Sequence, residues 1–139
     1  MKKLILLSLV AIFVVSCQGP VGPEGPQGAG TNWKIINLVA NKSDWVNNPD
    51  PNGKFYSCHF SMPEITSSVF NDGAVITYLL DNTVQQPLPY TRHFQNTAGN
   101  FTRTVDFDYS EGGINVYVTN SDFAVDPPIS MNFRVVLTW

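Results

Sequence analysis

The stretch "FTRTVDFDYSEGGINVYVTN", Phe101 to Asn120, decides the fold. Phe101, Arg103, Val105, Phe107 and Tyr109 alternate with Thr102, Thr104, Asp106 and Asp108. Period-2 alternation marks a strand with one face packed and one face wet. Glu111-Gly112-Gly113 then reverses the chain. Ile114, Val116 and Val118 resume the apolar face, with Asn115, Tyr117 and Thr119 opposite. An apolar run, a glycine turn and a second apolar run predict an antiparallel hairpin.

The same grammar extends both ways. Trp33 to Ala40, Lys54 to Ser61, Gly73 to Asp81 and Tyr90 to Gln95 read as strands, and a last strand buries Met131, Phe133, Val135 and Leu137. Asn47 to Gly53, Asn82 to Pro89 and Ser121 to Pro128 are rich in turn-formers and read as loops. Gly73 to Asp81 is apolar on both faces, which predicts a central strand covered on both sides. No segment holds a helical period with caps. The expectation is an all-β protein, an antiparallel β-sandwich of jelly-roll type with about 7–8 strands. A closed barrel is the alternative.

Composition agrees. The chain has 139 residues, 43% of them hydrophobic, which is enough to give one domain a core. Charged residues make up 14%, below the roughly 25% of an average globular protein. Net charge is −3, and loss of Lys2 and Lys3 with a leader would make it −5. No basic patch remains to grip nucleic acid.

The first residues read as an address. Met1-Lys2-Lys3 is a positive start, and Leu4 to Val15 is an apolar run broken only by Ser8. That run is shorter than the roughly 20 residues a membrane-spanning helix needs, but suits a signal peptide. It ends Val14-Val15-Ser16-Cys17, which resembles the bacterial lipobox. In that motif the cysteine is acylated and becomes the new N-terminus. Several acyl chains, each methylene worth about 0.8 kcal/mol, give a stable anchor. Cys17 is thus the expected lipid attachment, residues 1–16 the leader, 17–31 a lipidated spacer and 32–139 the β-domain. The rival is a disulfide between Cys17 and Cys58, the two cysteines of the chain.

Gly19, Gly22, Gly25 and Gly28 each begin a triplet in the spacer, and Pro follows in three of them. Glycine at every third position is what a collagen triple helix requires. A single chain of this composition is a semi-rigid polyproline spacer, and twelve residues reach roughly 37 Å. The sequence alone favours a monomer with a spacer over a homotrimer with a collagen-like collar.

"PLPYTRHF" (Pro87 to Phe94), "VDFDYSEGGINVYVTNSDF" (Val105 to Phe123) and "FRVVLTW" (Phe133 to Trp139) follow that lipobox and Gly-Pro tract. Together they resemble a family of small lipoproteins of Bacteroidetes-type bacteria. The resemblance implies an outer-membrane location and a β-architecture, and no reaction. In such bacteria acidic residues directly after the lipidated cysteine resemble a surface-export signal. Here Gln18-Gly19-Pro20-Val21-Gly22 follows and the first acid is Glu24, so the periplasmic and surface faces both stay open.

Site residues are few. No HExxH, GxSxG, GxGxxG or P-loop occurs. Cys58 alternates onto the side of Tyr56 and Phe60 as a buried hydrophobe, with His59 on the other side. Arg92 and His93 read as a strand edge. Asp106 and Asp108, about 7 Å apart on one strand, make a poor calcium cage. If the last three strands pair in order, Asp106, Asp108, Asn115, Tyr117, Asn132 and Arg134 share one polar face. Such a face suits a glycan, and an exposed platform among Trp33, Trp45, Tyr117 and Trp139 would support it. The expectation is a non-enzymatic, membrane-anchored envelope lipoprotein serving binding or assembly. No metal or cofactor is expected beyond the lipid on Cys17, and the partners are the membrane and a glycan or envelope protein. The alternatives are a carbohydrate-binding module and a trimeric stalk-and-head structural protein.

Overall fold

The computed structural model describes residues 30–50, 53–97, 99–123 and 127–139. The expected leader at residues 1–16, the expected lipid attachment at Cys17 and most of the Gly-X-Y tract lie outside the described residues. Thr31 to Trp139 forms one compact unit. Among its described residues the strands are β1 (Trp33–Ala40), β2 (Val46–Asp50), β3 (Gly53–Ser61), β4 (Ala74–Asp81), β5 (Val84–Pro87), β6 (Tyr90–Asn96), β7 (Gly99–Ser110), β8 (Gly113–Asn120) and β9 (Met131–Thr138). A 3-10 turn covers Lys42–Asp44, and a short helix, α1, covers Ser67–Asp72.

The strands form two antiparallel sheets. One has four strands in the order β1-β9-β4-β5, the other five in the order β2-β3-β8-β7-β6. This is an all-β sandwich, open rather than closed into a barrel. The hairpin expected over Phe101 to Asn120 is β7–β8, with Ser110 opposite Gly113 and Gly112 at φ +81° in the turn. That left-handed φ is what glycine supplies without steric cost.

The inward faces of both sheets meet in a core. Ala40, Tyr56, Cys58, Val105, Val116, Val118 and Phe133 pack together, and beside them Met62, Ile65, Val69, Ile114, Val135 and Leu137 form a second cluster. Facing β-branched and aromatic residues from two twisted sheets are what a sandwich needs. The expected inward residues of β8 and β9 are all buried except Met131, which is half-buried.

Two expected loops instead contain strands. β2 lies within the Asn-Pro-rich segment and β5 within Asn82–Pro89. Both are edge strands, where a proline lacking its N–H costs no ladder bond to an inner neighbour. Asn48 also ties β2 down, its Nδ2 donating to Val46 O at 2.9 Å and Ser57 Oγ at 2.8 Å. β4 is not covered on both sides. Val75 and Thr77 are buried, but Ile76 is 42% exposed, because among the described residues no layer lies outside the four-stranded sheet. Helix α1 carried no period because it is only six residues long; the Thr66 hydroxyl caps it by accepting from Val69 N at 3.4 Å.

The last three strands do not pair in order. β8 pairs with β3, and β9 crosses to lie between β1 and β4. Ten residues separate β8 from β9, and between β1 and β4 the strand β9 buries Phe133, Val135 and Leu137. This topology decides which candidate residues meet.

Candidate functional site

Asp106, Asp108, Asn115 and Tyr117 do share one face, the outer face of the five-stranded sheet. Asn132 and Arg134 do not join them. They sit on the outer side of β9 in the other sheet, where Arg134 Nε donates to Asn37 Oδ1 at 3.3 Å. The correction follows from strand order, since alternation places a residue on a face but does not choose its neighbouring strand.

Within the shared face the groups satisfy one another. Asp108 accepts from Asn115 Nδ2 at 2.8 Å and from Tyr117 Oη at 2.7 Å, one bond on each carboxylate oxygen. Asn115 Oδ1 then faces His59 Nδ1 at 2.8 Å, so His59 Nδ1 is the donor. His59 enters from β3, opposite Asn115. Sequence reasoning missed it because that pairing spans 56 residues, and only its outward alternation was visible. Gly113 makes room for the ring: a Cβ there would lie 2.7 Å from His59 Cε1. Phe55 meets Tyr117 edge-on, with centroids 5.8 Å apart.

The electrostatics follow from burial and from Asp108. Burial, the bond to Asp108 and its charge push the Tyr117 hydroxyl up to about 12, so it is a neutral donor at physiological pH. Burial, then the neighbouring Asp108 charge, raises the Asp106 carboxyl above the usual carboxylate range. Asp106 Oδ1 is buried with no hydrogen-bond partner. The folded state therefore holds the Asp106 proton more tightly than the unfolded chain does. Its favourable contribution is full below the ordinary carboxylate value and is lost as pH rises through the raised one. Asp106→Asn is expected to gain about 1 kcal/mol at about pH 7 and to lose that advantage by about pH 3. Urea unfolding of both proteins across pH measures this. A constant difference would show that the charge is not the cause.

Other candidates resolve simply. Cys58 is a buried free thiol, and burial raises it above its ordinary value, with Asp44 adding to the effect. His93 and Arg92 point to opposite sides of β6. His93 Nδ1 lies 3.0 Å from Thr102 Oγ1, while Arg92 turns into a cleft. Among the described residues no group of three or more His, Cys, Asp or Glu could hold a metal ion.

That cleft, about 350 Å³, lies where β4–β5 faces β6–β7. Leu79, Val105 and Met131 give it an apolar side, and Tyr90, Arg92 and Arg103 a polar one. The Arg103 guanidinium stands 5.3 Å from the Phe94 ring centroid, and its Nε donates to Asn120 Oδ1 at 2.9 Å. Arg92 lies 5.8 Å from the same ring. Among the described residues neither arginine forms an ion pair. Asp81 also lines the cleft, its Oδ1 accepting from Asn82 Nδ2 at 3.1 Å, so the two guanidiniums outnumber the one carboxylate and, beside the apolar wall, suit an acidic group on a small organic body. Comparison of the chain with family models, curated proteins and solved structures gives no match.

Proposed function

We propose that the protein is a lipid-anchored, non-enzymatic lipoprotein of the cell envelope whose β-sandwich serves binding. The observation that carries the anchoring is the lipobox-like Val14-Val15-Ser16-Cys17 at the end of an apolar run of signal-peptide length. A triacylated Cys17 would hold the chain at the outer membrane, and the Gly-Pro tract would space the domain from it. The cleft with Arg92 and Arg103 supports the binding role, because two guanidiniums beside an apolar wall offer a ligand both charge and apolar contact.

Carbohydrate binding is the second reading. It is favoured by the polar face, where Phe55 and Tyr117 stand beside the His59–Asn115–Asp108 network. Its aromatic platform is only partly present. Trp45 is buried, while Trp33 (66% exposed) and Trp139 (39% exposed) belong to the opposite side of the sandwich.

The anchoring is tested by Cys17→Ala. Wild-type cells fed labelled palmitate should label the protein and carry it in the membrane fraction. The variant should lose the label entirely and leave the membrane pool. An unchanged membrane pool would sink the proposal.

A further inference from the structure

The two outer faces of the sandwich differ in kind. On the five-stranded sheet the outward side chains include Asp106, Asp108, Asn115 and His59. On the four-stranded sheet the register sets Ile35, Val136 and Ile76 side by side across three strands. Trp33 stands next to Ile35 on the outward face of β1, and Val39 follows beyond Asn37. Trp33, Ile35, Val39 and Ile76 are 66, 45, 52 and 42% exposed. Arg134, held by Asn37, is the one charged side chain among the outward residues of β1, β9 and β4. An apolar row across three strands is not what a solvated sheet presents, and such patches mark contact surfaces.

A separate observation says what covers it. Glycine occupies every third position from Gly19 to Gly28, and the tract ends at Gly30, three residues before Trp33 begins the apolar face. A lone spacer has no need of a glycine period. Three chains wound together need it, because only glycine fits at their common axis. Four triplets are too few to hold three chains unaided. They need a neighbouring domain that raises the local strand concentration.

We propose that the protein is a homotrimer, in which three copies turn the outer face of the four-stranded sheet, centred on Ile35, Val136 and Ile76, toward one axis. The glycine period of residues 19–28 is the sequence feature that argues for this stoichiometry. The occupant of the apolar face is this same chain. A single self-complementary contact would close as a dimer. The triplet period is what selects three copies. The inference does not depend on acylation or on a ligand in the cleft.

Sedimentation of the full chain in a density-matched detergent tests it. The wild type should sediment with the protein mass of three chains at micromolar concentration. The double variant Ile35→Lys, Ile76→Lys should be monomeric, its dissociation constant raised at least a hundredfold. Both positions are exposed, so its circular dichroism should be unchanged. Gly22→Ser with Gly25→Ser should weaken the trimer about tenfold and leave the head folded. A monomeric or dimeric wild type overturns the proposal, as does a trimer that survives the double lysine variant. Undiminished trimer affinity in the glycine variant removes the triplet period as the reason for three copies. If the lysine variant does not fold, amine cross-linking of the wild type through Lys34 decides instead. A ladder ending at three supports the trimer, and one ending at one or two removes it.

Discussion

Phe133→Ala is expected to cost about 3–5 kcal/mol, which brings a domain of ordinary stability close to unfolding. Phe133 is fully buried at the middle of β9, the strand that joins β1 to β4. Its ring packs in the cluster that contains Tyr56, Cys58, Val105 and Val116 from the facing sheet. Truncation leaves a cavity between two sheets, and hydrogen-bonded ladders on both sides of β9 prevent the backbone from collapsing into it. The urea midpoint should fall by more than about half. Phe123→Ala is the control. That ring is 45% exposed in the loop after β8, and its loss should change stability by under about 0.5 kcal/mol. Similar losses for the two would mean that the core lies elsewhere.

Phe133 also shows what was legible in the sequence. Its alternation with Arg134 and Asn132 placed it inside before any neighbour was known. Burial of a face depends on period, and period is local. The same holds for Val105, Ile114, Val116, Val118 and Cys58. Which strand lies alongside is a non-local choice, and alternation is silent about it. Asn132 and Arg134 were placed on an outer face correctly and beside the wrong strand. His59 was sent outward correctly, yet its bond to Asn115 depends on a β3–β8 pairing that no short window contains. The edge strands β2 and β5 were hidden for a different reason. Asn47, Asn48, Pro49 and Pro87 carry turn chemistry, and only position at a sheet edge lets such residues serve as strand. The apolar outer face escaped the sequence reading because Ile76 looked like evidence for a covering layer. Among the described residues the structure provides the strand and no layer over it.

Gly73→Ala is expected to destabilise the domain by about 3 kcal/mol, although it adds a single methyl group. Backbone freedom is not the reason. Gly73 has φ −108°, which any residue adopts. Space is the reason. A Cβ at this position would overlap the Thr138 carbonyl oxygen and lie 2.8 Å from the Val69 carbonyl oxygen. Both are backbone atoms, so no side chain can swing aside. Gly73 N also donates to Val69 O at 3.2 Å, ending α1, and the next residue, Ala74, pairs with Thr138 to begin the β4–β9 ladder. The added methyl must therefore open either the helix end or the first rung of the central strand pair. Gly112→Ala makes the contrast. Gly112 has φ +81° but open space around its missing Cβ, so its cost is only the left-handed strain, about 1 kcal/mol. Thermal unfolding should separate the two, because each kcal/mol moves the midpoint of a domain this size by about 4–8 °C. The Gly73 variant should melt more than about 10 °C below the wild type and well below the Gly112 variant. If the order reverses, the backbones of α1 and β9 do not converge on Gly73, and the start of β4, which sets the Ile35–Val136–Ile76 row in register, is misplaced.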